Sequence, residues 1–157
     1  MVNTGVRNKG YSVEVIKDYV PVVREFYEME SDMFFQRYHK SNGTMEDCIN
    51  DTCETISDNA EFFLFKKDGY SVGFFVKTEC EGMMVLEGFH IKVTHRVADV
   101  IEKFWNVVRA IFSSDIYIGI YIENYPAIRH LERNGFVSEG LVNNQGKMFN
   151  LLKNKII

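Results

Sequence analysis

The chain has 157 residues and a formal net charge of −4, and 46% of its residues are hydrophobic while 25% are charged. This length and composition predict a single folded domain with a sizeable core and exclude a disordered chain. The acidic balance gives no strong nucleic-acid signal, and no apolar run approaches the ~20 residues that a membrane-spanning helix needs.

The cysteines and the N-terminus indicate the cellular setting. Cys48, Cys53 and Cys80 follow neither metal-binding nor paired spacing, which favours reduced thiols and a cytoplasmic location. Residues 1–10 lack the apolar core of a secretory signal and are rich in Gly, Asn and Thr, so we predict a flexible lead-in there. A single domain is therefore expected over residues 11–157.

The first half of the chain predicts a strand, two helices and a meander of three strands. Alternation over Ser12–Ile16 predicts the first strand, and an apolar stripe over Val20–Phe34 predicts the first helix. Thr44 followed by Asp47 is typical of a capping box and predicts the start of a second helix. The predicted strands of the meander are Glu61–Lys66, Tyr70–Thr78 and Met84–Val93.

The second half contains the strongest helix signal and a compact strand–helix–strand unit. Val97–Phe112 carries one broad apolar stripe, and Asp115–Ile122 is an apolar strand. Asn124 is a good N-cap for a short helix that has proline in its first turn, and Gly135 is suited to end that helix in the left-handed conformation. The last predicted strands begin at Phe136 and at Lys147.

This element order, with the motif N-x-x-A-I-R starting at Asn124 and Gly-Phe at Gly135 and Phe136, resembles the GNAT superfamily of N-acetyltransferases from about Val13 to Leu152. The resemblance implies an α+β fold with a central mixed, mostly antiparallel sheet, splayed between strands four and five and covered by helices on both faces. It also implies that acetyl-CoA binds in the resulting cleft and that an amine substrate accepts the acyl group.

The resemblance further implies where the cofactor would bind. The pyrophosphate would be held by backbone N–H groups at the start of the Val97–Phe112 helix, a usual place for an anion, and Asn124 would contact the pantetheine arm. The cofactor-binding residues implied in this way are Ile91, Val93, His95, Arg96, Val97, Ala98 and Asn124.

Two positions depart from the pattern of the superfamily. The pyrophosphate loop of the family reads Gln/Arg-x-x-Gly-x-Gly/Ala, and here Arg96 fits while Asp99 and Ile101 replace the small residues. A carboxylate at Asp99 is expected to repel a diphosphate, which leaves the side chains of His95 and Arg96 as alternative anion ligands. Leu131 stands where the family often has the tyrosine that protonates the leaving thiolate.

Glu87 and His90 are the candidate general bases, since both lie on the strand that would line the cleft. Regular alternation would put them on opposite faces of the sheet, so that only one of them could face a substrate. An ordinary sheet residue is the competing interpretation for each. We predict no metal site, because His39 and His130 have no partners at metal-ligand spacing and are expected on the surface.

The residues therefore leave different classes of function open. One is an acetyl-CoA-dependent N-acyltransferase. Another is a non-catalytic protein in a structural or binding role, because the pattern N-x-x-x-I-R-x-L-x-x-x-G is similar to GNAT-like proteins of tailed bacteriophages, including internal virion proteins. That class predicts a protein partner or virion assembly, and a virion location. An antitoxin-like binder that uses the acidic surface has only the net charge in its favour.

Overall fold

One seven-stranded sheet with α-helices against it makes up residues 10–29 and 44–155, the part of the chain that the computed structural model describes. The strands are β1 (Tyr11–Ile16), β2 (Glu61–Lys67), β3 (Tyr70–Cys80), β4 (Met83–Ile91), β5 (Ile116–Tyr121), β6 (Phe136–Asn144) and β7 (Lys147–Asn154). The helices are α1 (Val20–Met29), α2 (Met45–Glu54), α3 (Ala98–Phe112) and α4 (Tyr125–Arg133). The predicted order of elements is confirmed.

Some predictions fall outside the described residues or differ from the structure locally. The lead-in before residue 10 and the continuation of the first helix beyond Met29 lie outside them, so the division into lead-in and domain stays a prediction. Val93, predicted to end a strand, instead begins the short 3₁₀ turn Val93–His95, because β4 ends at Ile91. Among the described helices, none is long and apolar enough to span a membrane.

The predicted helix boundaries rest on caps that the structure contains. Thr44 accepts a hydrogen bond from the backbone N–H of Asp47, and the Asp47 side chain accepts one from the Thr44 backbone, which completes the capping box of α2. Asn124 caps α4 by accepting from the backbone N–H of Ala127. Gly135 follows α4 with φ +95°, a conformation that costs most residues energy and glycine little.

The order of the strands in the sheet places an opening at its centre. The order is β1-β2-β3-β4-β5-β7-β6, and every neighbouring pair is antiparallel except β4 and β5. Those two parallel strands are paired only at Met84 with Ile116 and at Val85 with Tyr117. They diverge beyond these pairs, so the predicted mixed sheet splayed between strands four and five is confirmed.

Each face of the sheet carries its own hydrophobic core, and helices cover both faces as predicted. Helices α3 and α4 pack on one face, where Phe104, Trp105 and Leu131 are fully buried. Helices α1 and α2 pack on the other face, where Phe26 and Ile49 meet side chains of β2 and β3. We call these the α3/α4 face and the α1/α2 face.

A bulge in β4 changes the alternation of side chains at the cleft. Val76 pairs with Gly88 and Lys77 pairs with Leu86, so Glu87 has no partner across the ladder. Leu86 therefore packs in the core of the α3/α4 face, while Glu87 reaches the segment that follows α2. The prediction that Glu87 and His90 point to opposite faces is wrong, because it assumed a regular strand.

Candidate functional site

A cleft of about 470 Å³ lies between the diverging strands β4 and β5 and is closed on one side by α4. Five of the predicted site residues line it, and their side chains or backbone are brought together there: Glu87, His90, Ile91, Arg96 and Asn124. The other predicted cofactor residues are not among its lining residues: Val93, His95, Val97 and Ala98. The cleft therefore lies where the sequence indicated. Near the start of α3, however, most of the predicted residues are not part of its lining.

Glu87 and His90 both face the α1/α2 side of the cleft. The Glu87 carboxylate accepts hydrogen bonds from the backbone N–H of Ser57, at 3.2 Å, and from the Ser57 hydroxyl. His90 is only 4% exposed, and its ring packs edge-on against Phe26 of α1, with 5.8 Å between centroids. Two groups that can accept a proton therefore border one side of the opening.

In the turn before α3, hydrogen bonds within the turn already occupy several backbone N–H groups. The N–H groups of His95, Arg96 and Val97 donate to the carbonyls of Lys92, Val93 and His95. The next N–H groups belong to the first turn of α3, where helix geometry supplies no acceptor. Any backbone anion site at this helix therefore consists of residues 98–100 and not of the turn.

Arg96 and Asp99 have side-chain partners that decide what each contributes to the cleft. The Arg96 Nε–H group donates to the Ile91 carbonyl at 2.8 Å, which turns the guanidinium back along β4 into the cleft. Asp99 instead accepts a hydrogen bond from the Tyr11 hydroxyl at 2.9 Å and does not line the cleft. Burial, together with this hydrogen bond, raises the pKa of Tyr11 to about 12. The expected repulsion between Asp99 and an anion in the cleft is therefore reduced, because its carboxylate is directed to β1.

His130 was predicted on the surface, and this prediction is wrong. Its ring is partly buried, lines the cleft and accepts a hydrogen bond from the Trp105 indole at 3.0 Å. Burial, and then the charges of Arg133 and Arg96, lower the pKa of His130 from its ordinary 6.5 to about 4. The ring is therefore neutral at physiological pH.

This pKa shift predicts a pH-dependent stability. The unfolded chain protonates His130 near pH 6.5 and the folded chain only near pH 4, so its contribution is complete above pH 6.5 and is lost as the pH falls. We expect the free energy of unfolding to fall by about 2 kcal/mol between these values, after allowance for partial exposure. Urea titrations of the wild type and His130→Gln across this range test it. The fall in the free energy of unfolding that His130 causes should be absent from the variant. An identical pH dependence of stability in both proteins would contradict the lowered pKa of His130.

Arg133 is a second residue that the sequence analysis missed. It lines the cleft one helical turn after His130, and Pro126 lies about one turn before His130 on the same wall. The spacing of these residues at i, i+4 and i+7 was the available signal, since such positions share one face of a helix. Arg96 and Arg133 both line the cleft and place positive charge near His130. Arg96 is anchored at Ile91, and Glu87 lies four residues along β4 from Ile91, roughly 13 Å away.

The site contains no evident metal ligands. Within the described part of the chain, no three His, Cys, Asp or Glu side chains are grouped closely enough to hold a metal ion. The charged and polar groups of the cleft are instead spread along its length, which suits an elongated ligand.

Comparison with known proteins identifies the fold. No family model matches the sequence, and no curated protein sequence matches it. A Salmonella typhimurium acetyltransferase that modifies the N-terminal serine of ribosomal protein L7/L12 superposes with a TM-score of 0.70 at 12% identity, covering 96% of this chain and 97% of that one. The enzyme AAC(6')-Ib in complex with paromomycin and acetyl-CoA gives 0.69 at 10% identity, with 93% of both chains covered.

A spermidine N-acetyltransferase variant from Vibrio cholerae, SpeG, gives a TM-score of 0.59 at 14% identity and covers 93% of this chain and 94% of its own. At these identities the similarity shows the fold alone. That fold is the mixed α+β GNAT fold, as the resemblance of the sequence implied.

Proposed function

We propose that the protein binds acetyl-CoA in the cleft between β4 and β5 and transfers the acetyl group to an amine. The observation that carries this proposal is the cleft itself, an opening of about 470 Å³ whose lining includes two arginines and a carboxylate. Acetyl-CoA supplies an activated acyl group, and its negatively charged diphosphate is complementary to the two arginines. The similar folds that act on a protein N-terminus or on spermidine support an amine as acceptor.

The anionic part of the ligand would be bound mainly through side chains. Arg96 is held against the Ile91 carbonyl by its Nε–H group, which leaves its terminal nitrogens to meet a phosphate. Arg133 adds a second guanidinium from α4, and α3, whose first turn reaches the cleft at Ile101, adds the positive end of a helix dipole. This arrangement replaces the missing glycines at Asp99 and Ile101, which in the family allow a close backbone approach.

The acceptor would enter from the α1/α2 side. Glu87 is positioned to attract an ammonium group, since its carboxylate borders the cleft and is fixed by Ser57. An amine must lose a proton to attack a carbonyl carbon, and Glu87 or His90 would receive that proton directly or through water. Glu87 and His90 both face the α1/α2 side of the cleft because of the bulge at Glu87.

Isothermal titration calorimetry with acetyl-CoA tests this proposal. The wild type should bind, and Arg96→Gln should bind about tenfold more weakly, because one hydrogen-bonded charge contact with phosphate is lost. Lys17→Gln is the matched control, since it removes one positive charge from an exposed position outside the cleft. Absence of binding by the folded wild type at millimolar acetyl-CoA would refute the proposal.

A non-catalytic role is the second candidate, and one observation favours it. The backbone N–H groups of residues 95–97 are already bonded within the turn, so these three groups are not available to hold a pyrophosphate. In this case the fold would serve as a binding or virion-assembly module of a bacteriophage. The expected result is a folded protein that ignores acetyl-CoA in calorimetry and co-purifies with phage particles, whereas acetyl transfer to an amine would exclude this role.

A further inference from the structure

His130 lines the cleft, and only one of its two ring nitrogens has a hydrogen-bond partner among the described residues. The Trp105 indole N–H can only donate, so His130 Nε2, at 3.0 Å, is the acceptor and carries no hydrogen. A neutral ring then carries its hydrogen on Nδ1. Within residues 10–29 and 44–155, no group forms a hydrogen bond with Nδ1. The hydrogen bond with Trp105 therefore fixes one tautomer and leaves a donor available.

Two aromatic contacts hold this ring at a defined level of the cleft. Phe89 stacks on it with 5.9 Å between centroids and 22° between planes, and the Trp105 ring lies 5.7 Å away. Phe89 is two residues from Glu87, roughly 7 Å along the strand. The His130 ring thus lies on the α3/α4 wall at the level of Phe89, between the levels of Glu87 and Ile91 on β4.

We propose that the Nδ1–H group of His130 donates a hydrogen bond to the sulfur atom of the thioester bound in the cleft and stabilises the thiolate that acyl transfer releases. The inference rests on the proposed function. In that transfer the amine nitrogen bonds to the carbonyl carbon, the carbon–sulfur bond breaks and the sulfur leaves with the electron pair. The amine proton goes to the base on the α1/α2 side, so His130 keeps its own proton throughout.

The surroundings of His130 suit a donor that stays neutral. Burial and the charges of Arg133 and Arg96 lower its pKa to about 4, so the ring does not ionise near neutral pH. The same arginines favour a negative charge on the sulfur. Trp105 acts as a positioning residue, because its indole selects the tautomer that donates from Nδ1.

The pKa of the thiol of bound coenzyme A tests the inference, and this measurement requires no amine substrate. It is measured from the ultraviolet absorbance of the thiolate at saturating coenzyme A. In the wild type it should lie about one to two units below that of free coenzyme A. His130→Leu should return it to the free value. His130→Gln should keep part of the shift, since an amide can accept from Trp105 and donate to sulfur.

The controls separate this inference from the proposed function. If coenzyme A binds and its thiol pKa is the same in the wild type and His130→Leu, the inference is overturned while the proposed function stands. If the wild type does not bind coenzyme A, both fail. Desulfo-coenzyme A should bind the wild type and His130→Leu equally.

A measurement on the ligand-free wild type covers the case in which His130→Leu does not fold. Nitrogen-15 NMR of the histidine ring should show the hydrogen on Nδ1, and a hydrogen on Nε2 would overturn the inference. Trp105→Phe should weaken the preference for this tautomer and reduce the shift of the thiol pKa. A purely structural role of Trp105 would leave both unchanged.

Discussion

Replacing Gly73 with alanine should destabilise the protein by about 3 kcal/mol, since overpacking against backbone has few ways to relax. A Cβ atom at this position would lie 2.5 Å from the carbonyl oxygen of His90 and 3.5 Å from the Phe104 ring. Gly73 pairs with Ile91, at the end of β4 where the Arg96 side chain is anchored. The substitution therefore has to push β4 away from β3 along the wall of the cleft.

Gly88→Ala is the matched control for this substitution. Gly88 lies on β4, the strand that pairs with the strand of Gly73, and a Cβ atom at Gly88 would meet no heavy atom within 4 Å. Both variants reduce the freedom of the unfolded chain equally, so the difference between their free energies of unfolding isolates the clash. Urea denaturation should show Gly88→Ala within about 0.5 kcal/mol of the wild type. Equal stabilities of the two variants would show that β3 and β4 are further apart than the structure has them.

The fold could be predicted because its signals are local. The capping box at Thr44, the N-cap at Asn124 and the glycine at Gly135 each fix a boundary through one or two hydrogen bonds or one backbone angle. The stripe of α3 is long enough for its period to be unambiguous. Such signals order the elements along the chain, and that order indicated a mixed sheet covered by helices. The opening of the sheet was implied only by the resemblance to the GNAT superfamily.

The face of the sheet to which each β4 side chain points could not be predicted, because it depends on how β4 pairs with β3. The bulge arises where Val76 and Lys77 of β3 meet Gly88 and Leu86, a relation between two strands. Nothing in the alternation of β4 itself shows that Glu87 is the extra residue. A single unpaired residue moved one candidate base to the other face, which is why the sequence underestimated the number of groups available to an acceptor.

His130 was misplaced for a similar reason. Its neighbours Arg129 and Glu132 are charged, and that local pattern is typical of a solvated helix face. Its ring is held by Trp105, 25 residues away along the chain, which donates the hydrogen bond, and by Phe89, which stacks on it. The helical spacing shows that His130 shares a face with Pro126 and Arg133, but it does not show that a tryptophan on another helix covers that face.

The substitution Leu131→Tyr tests the departure from the family pattern at position 131. It would restore the tyrosine that the family often has seven residues after the asparagine. Leu131 is 0% exposed and packs in the core of the α3/α4 face, so a larger side chain with a hydroxyl group meets no space and no water there. We expect a loss of about 3 kcal/mol in the free energy of unfolding, from overpacking and from an unsatisfied hydroxyl.

Leu131→Met controls for the loss of the native side chain at nearly constant volume and should cost less than about 1.5 kcal/mol. Urea denaturation of both variants gives the comparison, and the thiol pKa of bound coenzyme A gives a second measurement. If Leu131→Tyr is as stable as Leu131→Met and lowers the thiol pKa further, the tyrosine reaches the cleft and the structure around α4 is wrong. If it is destabilised and leaves the thiol pKa unchanged, position 131 is a core position in this protein. The polar group that α4 offers to a leaving sulfur is then His130, one residue earlier.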